Sequence, residues 1–419
     1  MIKIVSKEEY FNASKDEIAF DERIESAVRE ILSDVKTRGD EALFEYTKKF
    51  DKVELDCLEV TEAEIEEAYN SIDEYFLQTL KEAKENIERY HREQLRDGYE
   101  IQGDGVRLGQ IVRPLKRVGV YVPGGTAAYP STVLMDVIPA KIAGVEEVVL
   151  VSPCRDGKVN AGVLAAAKLA GADRVFRIGG AQAVGALAFG TESVPKVDKI
   201  VGPGNAYVAT AKKQVFGYVD IDMIAGPSEI LIVADDTANP TFVASDMLGQ
   251  AEHDKRAGVT LVCMSRSFAD EVQRELDAQL KELQRAEIAG CSIANGKIVI
   301  AKDIDEAMDI ANDVAPEHLE LCVENPFEIL DKVKNAGGIF LGHFSPEALG
   351  DYYAGTNHTL PTSGTARFAS PLSVDDFVKK SSYLYYTEEA LQKVGERVSD
   401  FAMREGLDAH ARSIKVRLK

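Results

Sequence analysis

The sequence has 419 residues, 45% of them hydrophobic, which is enough to fill two or more cores and too much for one small domain. Its 70 acidic against 49 basic side chains give a formal charge of −21, which repels polyanions and argues against a nucleic-acid partner. The opening M-I-K-I-V-S-K-E-E-Y lacks a signal peptide's apolar core and no apolar run is long enough to cross a bilayer, so the expectation is a cytoplasmic protein with no membrane partner.

Residues 1–20 read as an N-terminal segment, and 21–116 as a helical region packing with a second α/β domain. Asp21 to Lys49 and Thr61 to Gln94 carry apolar residues at helical spacing, and T-E-A-E from Thr61 matches a capping box. His91, amid E-R-Y-H-R-E-Q, reads as solvated on this charged surface.

From about Arg117 the texture changes to short apolar runs alternating with small-residue helices. Strand candidates start near 118, 147, 174 and 199, and after A-G-P-S (225–228) the pattern restarts near 230, 259, 297, 319 and 338. Fully apolar strands between helices imply parallel sheets covered on both faces. The expected fold class is α/β, with two doubly wound, Rossmann-like domains at 117–228 and 229–372. The tail at 373–419 reads as charged and helical, too small for a core of its own, and so docked on a second subunit.

Five cysteines, Cys57, Cys154, Cys263, Cys291 and Cys322, form no CxxC pair, which argues against a disulfide framework or a thiolate zinc site. Cys263 and Cys322 fall in strand-like apolar runs as small hydrophobes, and only Cys154 has a loop setting.

Three glycine loops, Y-V-P-G-G-T (from Tyr121), I-G-G-A-Q-A (from Ile178) and V-G-P-G-N-A (from Val201), follow strands of the first set. Ligands of open α/β sheets bind beyond the carboxyl ends of strands, where helix N-termini attract phosphate. None of the three is a G-x-G-x-x-G fingerprint, so tight turns remain an alternative to a nucleotide cleft.

Polar residues gather in the second half. In L-G-Q-A-E-H-D, Gln250 and His253 stand at i and i+3 and can reach one ion, while Glu252 and Asp254 project elsewhere. In A-P-E-H-L-E-L, Glu317 and His318 serve one site only if Pro316 holds them in irregular backbone before a strand. The loop L-G-D-Y-Y-A-G-T-N-H-T-L-P-T offers Asp351 and His358, and the tail offers Glu405 and His410. Two nitrogen and two oxygen donors from Gln, His, Asp and His suit zinc, although spacing over so long a stretch does not prove it.

These motifs, with I-D-M-I-A-G-P-S-E-I-L-I-V-A-D (221–235), resemble the histidinol dehydrogenase family over nearly the whole chain. The resemblance implies one zinc per subunit on Gln250, His253, Asp351 and His410, with Ser228, Glu317, His318, His358 and Glu405 completing the substrate pocket. It implies NAD at Tyr121, Gln182 and Asn205, and an intertwined homodimer whose tail reaches the partner's site. The activity implied is oxidation of L-histidinol to L-histidine by two hydride transfers through a bound aldehyde, the last two steps of histidine biosynthesis. Chemically, His318 suits the base and Glu317 the activation of water, while no cysteine sits beside a candidate base. Four protein ligands are more usual at a structural zinc, so the ion is expected to act mainly as a substrate anchor. The alternative from residues alone is a zinc hydrolase in which Glu317 activates water and the glycine loops are structural. A catalytically silent binding protein would require the polar positions to be idle.

Overall fold

Alternation of branched aliphatic runs with small-residue helices sets the architecture. The computed structural model describes residues 2–13, 22–124 and 128–419; Asp21, and Gly125 and Thr126 of the first glycine loop, lie outside the described residues. The chain forms two units, residues 1–94 with 115–377, and residues 95–114 with 378–419. In chain order the strands are β1 (Lys3–Val5), β2 (Tyr99–Gly103), β3 (Val106–Pro114), β4 (Arg117–Tyr121), β5 (Glu147–Val151), β6 (Arg174–Phe176) and β7 (Lys199–Val201). They continue with β8 (Asp220–Ile221), β9 (Glu229–Ala234), β10 (Gly258–Cys263), β11 (Lys297–Ile300), β12 (His318–Cys322), β13 (Gly338–Leu341) and β14 (Val378–Tyr386).

The first unit holds two parallel sheets, ordered β6-β5-β4-β7-β8 and β1-β11-β10-β9-β12-β13. In each, the first strand of its βα run, β4 or β9, lies in the middle. The next two step outward on one side and the last two on the other, which is the doubly wound order. The strand β1 adds an edge to the second sheet through Lys3↔Lys297 to Val5↔Val299. E-V-V-L-V of β5 and E-I-L-I-V-A of β9 are buried past their first residue, as expected where helices cover both faces. Each such buried aliphatic side chain contributes about 1.5–3 kcal/mol.

The helices within residues 22–92 pack on the first sheet, not chiefly on the second as the sequence suggested. Val28, Ile31, Leu32 and Val35 of the helix Glu22–Arg38 join Phe176, Val184, Leu187 and Ile200 in one core. Leu80, Ala83 and Ile87 of the helix Glu74–Arg92 join Val118, Leu134 and Val148 in another. The physical reason is the run of small residues in the helix Gly180–Phe189, which lets the aliphatic stripe of the first helix approach closely. The capping box forms: Thr61 accepts from the Glu64 amide while the Glu64 carboxylate accepts from Thr61 N–H.

The second unit is an antiparallel sheet, β14-β3-β2, followed by the helices Glu388–Arg404 and Asp408–Lys415. Here the helical expectation for residues up to 116 gives way to a hairpin. Its strands pair antiparallel, and Asp104 and Gly105, both at positive φ (35° and 80°), make the tight turn between them. The start of the tail is also a strand, pairing with β3 from Val378↔Pro114 to Tyr386↔Val106. The tail therefore leans on a hairpin of its own chain. The unit still exposes Tyr99, Ile101, Leu108, Leu384, Tyr385 and Phe401.

Candidate active site

The helix Ile304–Val314 ends on Ala315 in the left-handed region (φ 53°), and Pro316 follows. Gly337 N–H donates to the Pro316 carbonyl (2.9 Å) and Gly338 N–H to that of Glu317 (2.7 Å). The acid and the imidazole are thereby fixed at the amino end of β12, and both are buried. His318 Nδ1 lies 3.7 Å from Glu317 Oε2 and 3.8 Å from Glu347 Oε1, while Nε2 lies 3.9 Å from Asp351 Oδ1. Its hydrogen bond is to the Glu229 carbonyl (3.1 Å). Because a carbonyl only accepts, the proton is assigned to Nδ1, and Nε2 keeps a buried lone pair with no hydrogen-bond partner. Burial pulls this imidazole down to about 4, against the charge of Asp351, so it is neutral near pH 7.

Glu317 accepts from Glu229 N–H (2.9 Å) and bonds the Ser228 hydroxyl. Burial, then the nearby charges of Glu229 and Asp351, hold its carboxyl well above the usual range despite those bonds. Glu347 is raised likewise, by burial and then by Asp351, Glu317 and Glu320. So many crowded carboxyl groups call for a cation or shared protons.

Gln250, in the last turn of the helix Pro240–Ala251, is fully buried. With its amide nitrogen toward Glu347 it donates to both carboxylate oxygens (2.6 and 2.8 Å), and its oxygen accepts from Glu229 N–H (3.3 Å). In the other orientation, amide oxygen faces carboxylate oxygen, an arrangement favoured by a divalent cation bound to both. His253, Glu347 and Asp351 each offer a ligand atom, all within 4.8 Å of one another. This donor set fits a zinc ion chemically. Glu347 was missed by sequence reasoning, although it stands at i and i+4 with Asp351. The two span a short helix, Glu347–Leu349, and a π-helical turn, Gly350–Ala354, a distortion frequent at functional sites.

His358 hydrogen-bonds the Asp351 carbonyl through Nδ1 (3.1 Å) and Thr132 Oγ1 through Nε2 (3.2 Å), and burial lowers its pKa. Glu405 and His410 lie in the second unit, at the end of the helix Glu388–Arg404 and on the helix Asp408–Lys415, and both are exposed. His91 is not solvated: it is fully buried, with Nδ1 on Gln94 (2.7 Å) and Nε2 facing Asn357 Nδ2 (3.4 Å).

A separate cleft of about 1480 Å³ is lined by Tyr121, Gly179, Gly180, Gln182, Asn205 and Cys154, among others. The helices Ala161–Ala170, Gly180–Phe189 and Ala206–Val215 all begin at its wall. Gly180 N–H donates to the Tyr121 hydroxyl (3.0 Å), and Asn205 Oδ1 accepts from the amides of Tyr207 (3.0 Å) and Val208 (3.2 Å) as a helix cap. Gly180 has φ 66°, and a Cβ there would sit 2.7 Å from Gln182 Oε1. The Cys154 thiol is buried and pushed up by burial, which keeps it protonated and unsuited to nucleophilic attack; Cys263 and Cys322 are buried strand residues.

Two doubly wound sheets, a buried acid–imidazole centre with metal-type donors and a cleft at glycine-led helix N-termini give an α/β fold with two candidate ligand sites. Residues 14–418 match the family model described as histidinol dehydrogenase. The chain belongs to the histidinol dehydrogenase family of oxidoreductases. It is 55% identical over 416 residues to the histidinol dehydrogenase of Clostridium acetobutylicum, covering 98% of this chain and 96% of that one. It is 55% identical over 401 residues to that of Bacillus cereus, covering 95% and 94%. The crystal structure of histidinol dehydrogenase from Elizabethkingia anophelis superposes with a TM-score of 0.95 at 38% identity, covering 99% and 98%.

Proposed function

We propose that this chain oxidises L-histidinol to L-histidine, with zinc held by Gln250, His253 and Asp351 and with NAD in the cleft at Tyr121, Gln182 and Asn205. The observation that carries the reading is the gathering of His253, Asp351 and Gln250 around Glu347, beside the free lone pair of His318. Glu347 adds an oxygen donor to that set. His410 completes the ligands and Glu405 the pocket from the second subunit of a homodimer. The exposed apolar residues of the second unit support such a dimer. No described helix is long and apolar enough to cross a membrane, in keeping with a small-molecule enzyme of the cytoplasm.

When bound, zinc supplies a Lewis-acidic anchor for nitrogen donors and a positive charge that favours ionised carboxylates. NAD, when bound, supplies the acceptor for each hydride. In the first oxidation His318 Nε2 takes the hydroxyl proton as hydride leaves the adjacent carbon, giving the aldehyde. Its Nδ1–H bond to the Glu229 carbonyl keeps the ring in the acceptor tautomer. Glu317, as carboxylate, takes a proton from water as its oxygen adds to the aldehyde, and His318 returns its proton to the former carbonyl oxygen, giving the hydrate and freeing Nε2 again. His318 then removes a hydroxyl proton from the hydrate as the second hydride leaves, giving the carboxylic acid. Ser228 holds Glu317, and His358, fixed by Thr132 and Asp351, contacts the substrate.

The test is to incubate the zinc-loaded protein with histidinol and excess NAD. The reading requires about two reduced nicotinamides per histidinol, as the balance of a four-electron oxidation demands. A plateau at one, or none formed, contradicts it.

A further inference from the structure

The helix Pro130–Ala143 supplies three groups to the segment carrying His358. The Thr132 hydroxyl meets His358 Nε2 (3.2 Å), the Met135 carbonyl accepts from Asn357 Nδ2 (2.7 Å), and Asp136 Oδ1 accepts from the Thr359 hydroxyl (2.8 Å). Asp136 differs from the other two. It is fully buried, and its Oδ2 has no hydrogen-bond partner.

That oxygen faces the crevice between β4 and β7, where the first sheet reverses its strand order. A Cβ on Gly202 would sit 2.2 Å from the Tyr121 carbonyl oxygen and 3.1 Å from Asp136 Oδ2. Gly202 is itself clamped, since its N–H donates to Asp222 Oδ2 (2.8 Å) and its carbonyl accepts from Lys212 Nζ (2.8 Å). Lys212 and Asp222 form a buried ion pair. Three residues beyond Gly202, Asn205 lines the cleft. Asp136 thus stands between the cleft-side loop and the segment that presents His358.

The charges decide its state. Lys212 and Asp222 neutralise each other, so a carboxylate at 136 would be a third buried charge with no cation of its own. Burial pushes the Asp136 carboxyl up to about 8, with the Thr359 bond opposing and Asp222 adding.

We propose that Asp136 is an uncharged positioning residue that holds the His358 segment, through Thr359, on the helix Pro130–Ala143 beside the cleft-side loop at Gly202. It needs an acceptor toward Thr359 and a neutral polar group toward the crevice, and an asparagine supplies both. The idea rests on the proposed function only in taking histidinol as the ligand at His358.

The experiment compares Asp136→Asn, Asp136→Ala and Thr359→Val. Histidinol binding to zinc-loaded protein is measured by calorimetry, independently of turnover, together with KM, kcat, zinc content and Tm. Asp136→Asn is expected within about twofold of the parent in histidinol affinity, because the neutral contacts are kept. Asp136→Ala and Thr359→Val are expected to weaken histidinol binding about tenfold, with KM raised more than kcat falls and zinc content unchanged. A loss in Asp136→Asn equal to that in Asp136→Ala overturns the proposal, since charge would then matter. So does parent-like binding in Thr359→Val, which also decides the matter if Asp136→Ala does not fold. If the parent binds histidinol but yields no reduced nicotinamide, the functional reading fails while the binding comparison still judges the tie.

Discussion

The two parallel sheets share one strand order but use opposite ends of it. In the first sheet, cleft residues lie beyond the carboxyl ends of strands: Tyr121 closes β4, Gly179 and Gly180 follow β6, and Asn205 follows β7. In the second, Glu229 and His318 are the first residues of β9 and β12, Glu317 precedes β12, and His253 precedes β10. The carboxyl ends offer backbone N–H groups at helix starts, suited to an anionic ligand. The amino ends bring together the carboxyls of Glu229 and Glu317, raised by burial, and a neutral imidazole, with the raised carboxyl of Glu347 joining them from the segment after β13, a set suited to a cation and to proton transfer. A duplicated topology therefore does not duplicate the site, because the chemistry follows the residues placed at each end.

Substitutions at each end test this contrast. His318→Asn should reduce histidinol oxidation by about 10³-fold, as expected for losing a general base, while calorimetric NAD affinity stays at the parent value. Loss of NAD affinity with it would merge the two ends into one site. His253→Ala should lower zinc affinity by about a hundredfold, read by metal analysis after dialysis, with the cleft again unaffected. Gly180→Ala acts on the other end: the strained φ and the contact with Gln182 should weaken NAD binding about tenfold at unchanged zinc content.

A pH series isolates the amino-end imidazole. Because its folded pKa is depressed to about 4 from 6.5, the unfolded chain binds the proton more tightly. Its contribution to stability is complete above about 6.5 and is lost as pH falls toward about 4. Metal-free parent should therefore lose stability over that window relative to His318→Asn, measured by urea unfolding. Parallel curves would remove the buried neutral ring from the account. The smallest effect is expected at a residue that lines neither site, where Thr61→Ala should cost about 1 kcal/mol of stability through the capping box and leave both ligands' affinities unchanged.

Much of this was legible in the sequence. The strands of both sheets, apart from the edge strands β1 and β8, stood out because a strand buried on both faces must be apolar throughout, as in I-L-I-V-A of β9. The hairpin at 99–114 was missed despite its Asp-Gly turn, since surrounding charges suggested continued helix. His91 was misread for a similar reason. It extends the buried stripe of Leu80, Ala83 and Ile87 by one helical turn, and its charged neighbours on the other faces concealed this. Glu317 and His318 were visible as a pair, but their meeting depends on backbone held by Gly337 and Gly338 from the next strand, a long-range fact. Glu347 fell two residues outside the loop considered. Use of the amino ends was beyond reach, because the general rule for open α/β sheets points to the other edge.

Gln250, His253 and Asp351, beside the amino ends of β9 and β12, are proposed to hold the metal. Anomalous diffraction at the zinc edge, from crystals of the zinc-loaded protein, tests it most directly. One strong peak per subunit is expected within coordination distance of Gln250, His253 and Asp351. A stoichiometric zinc found away from these three side chains would contradict it.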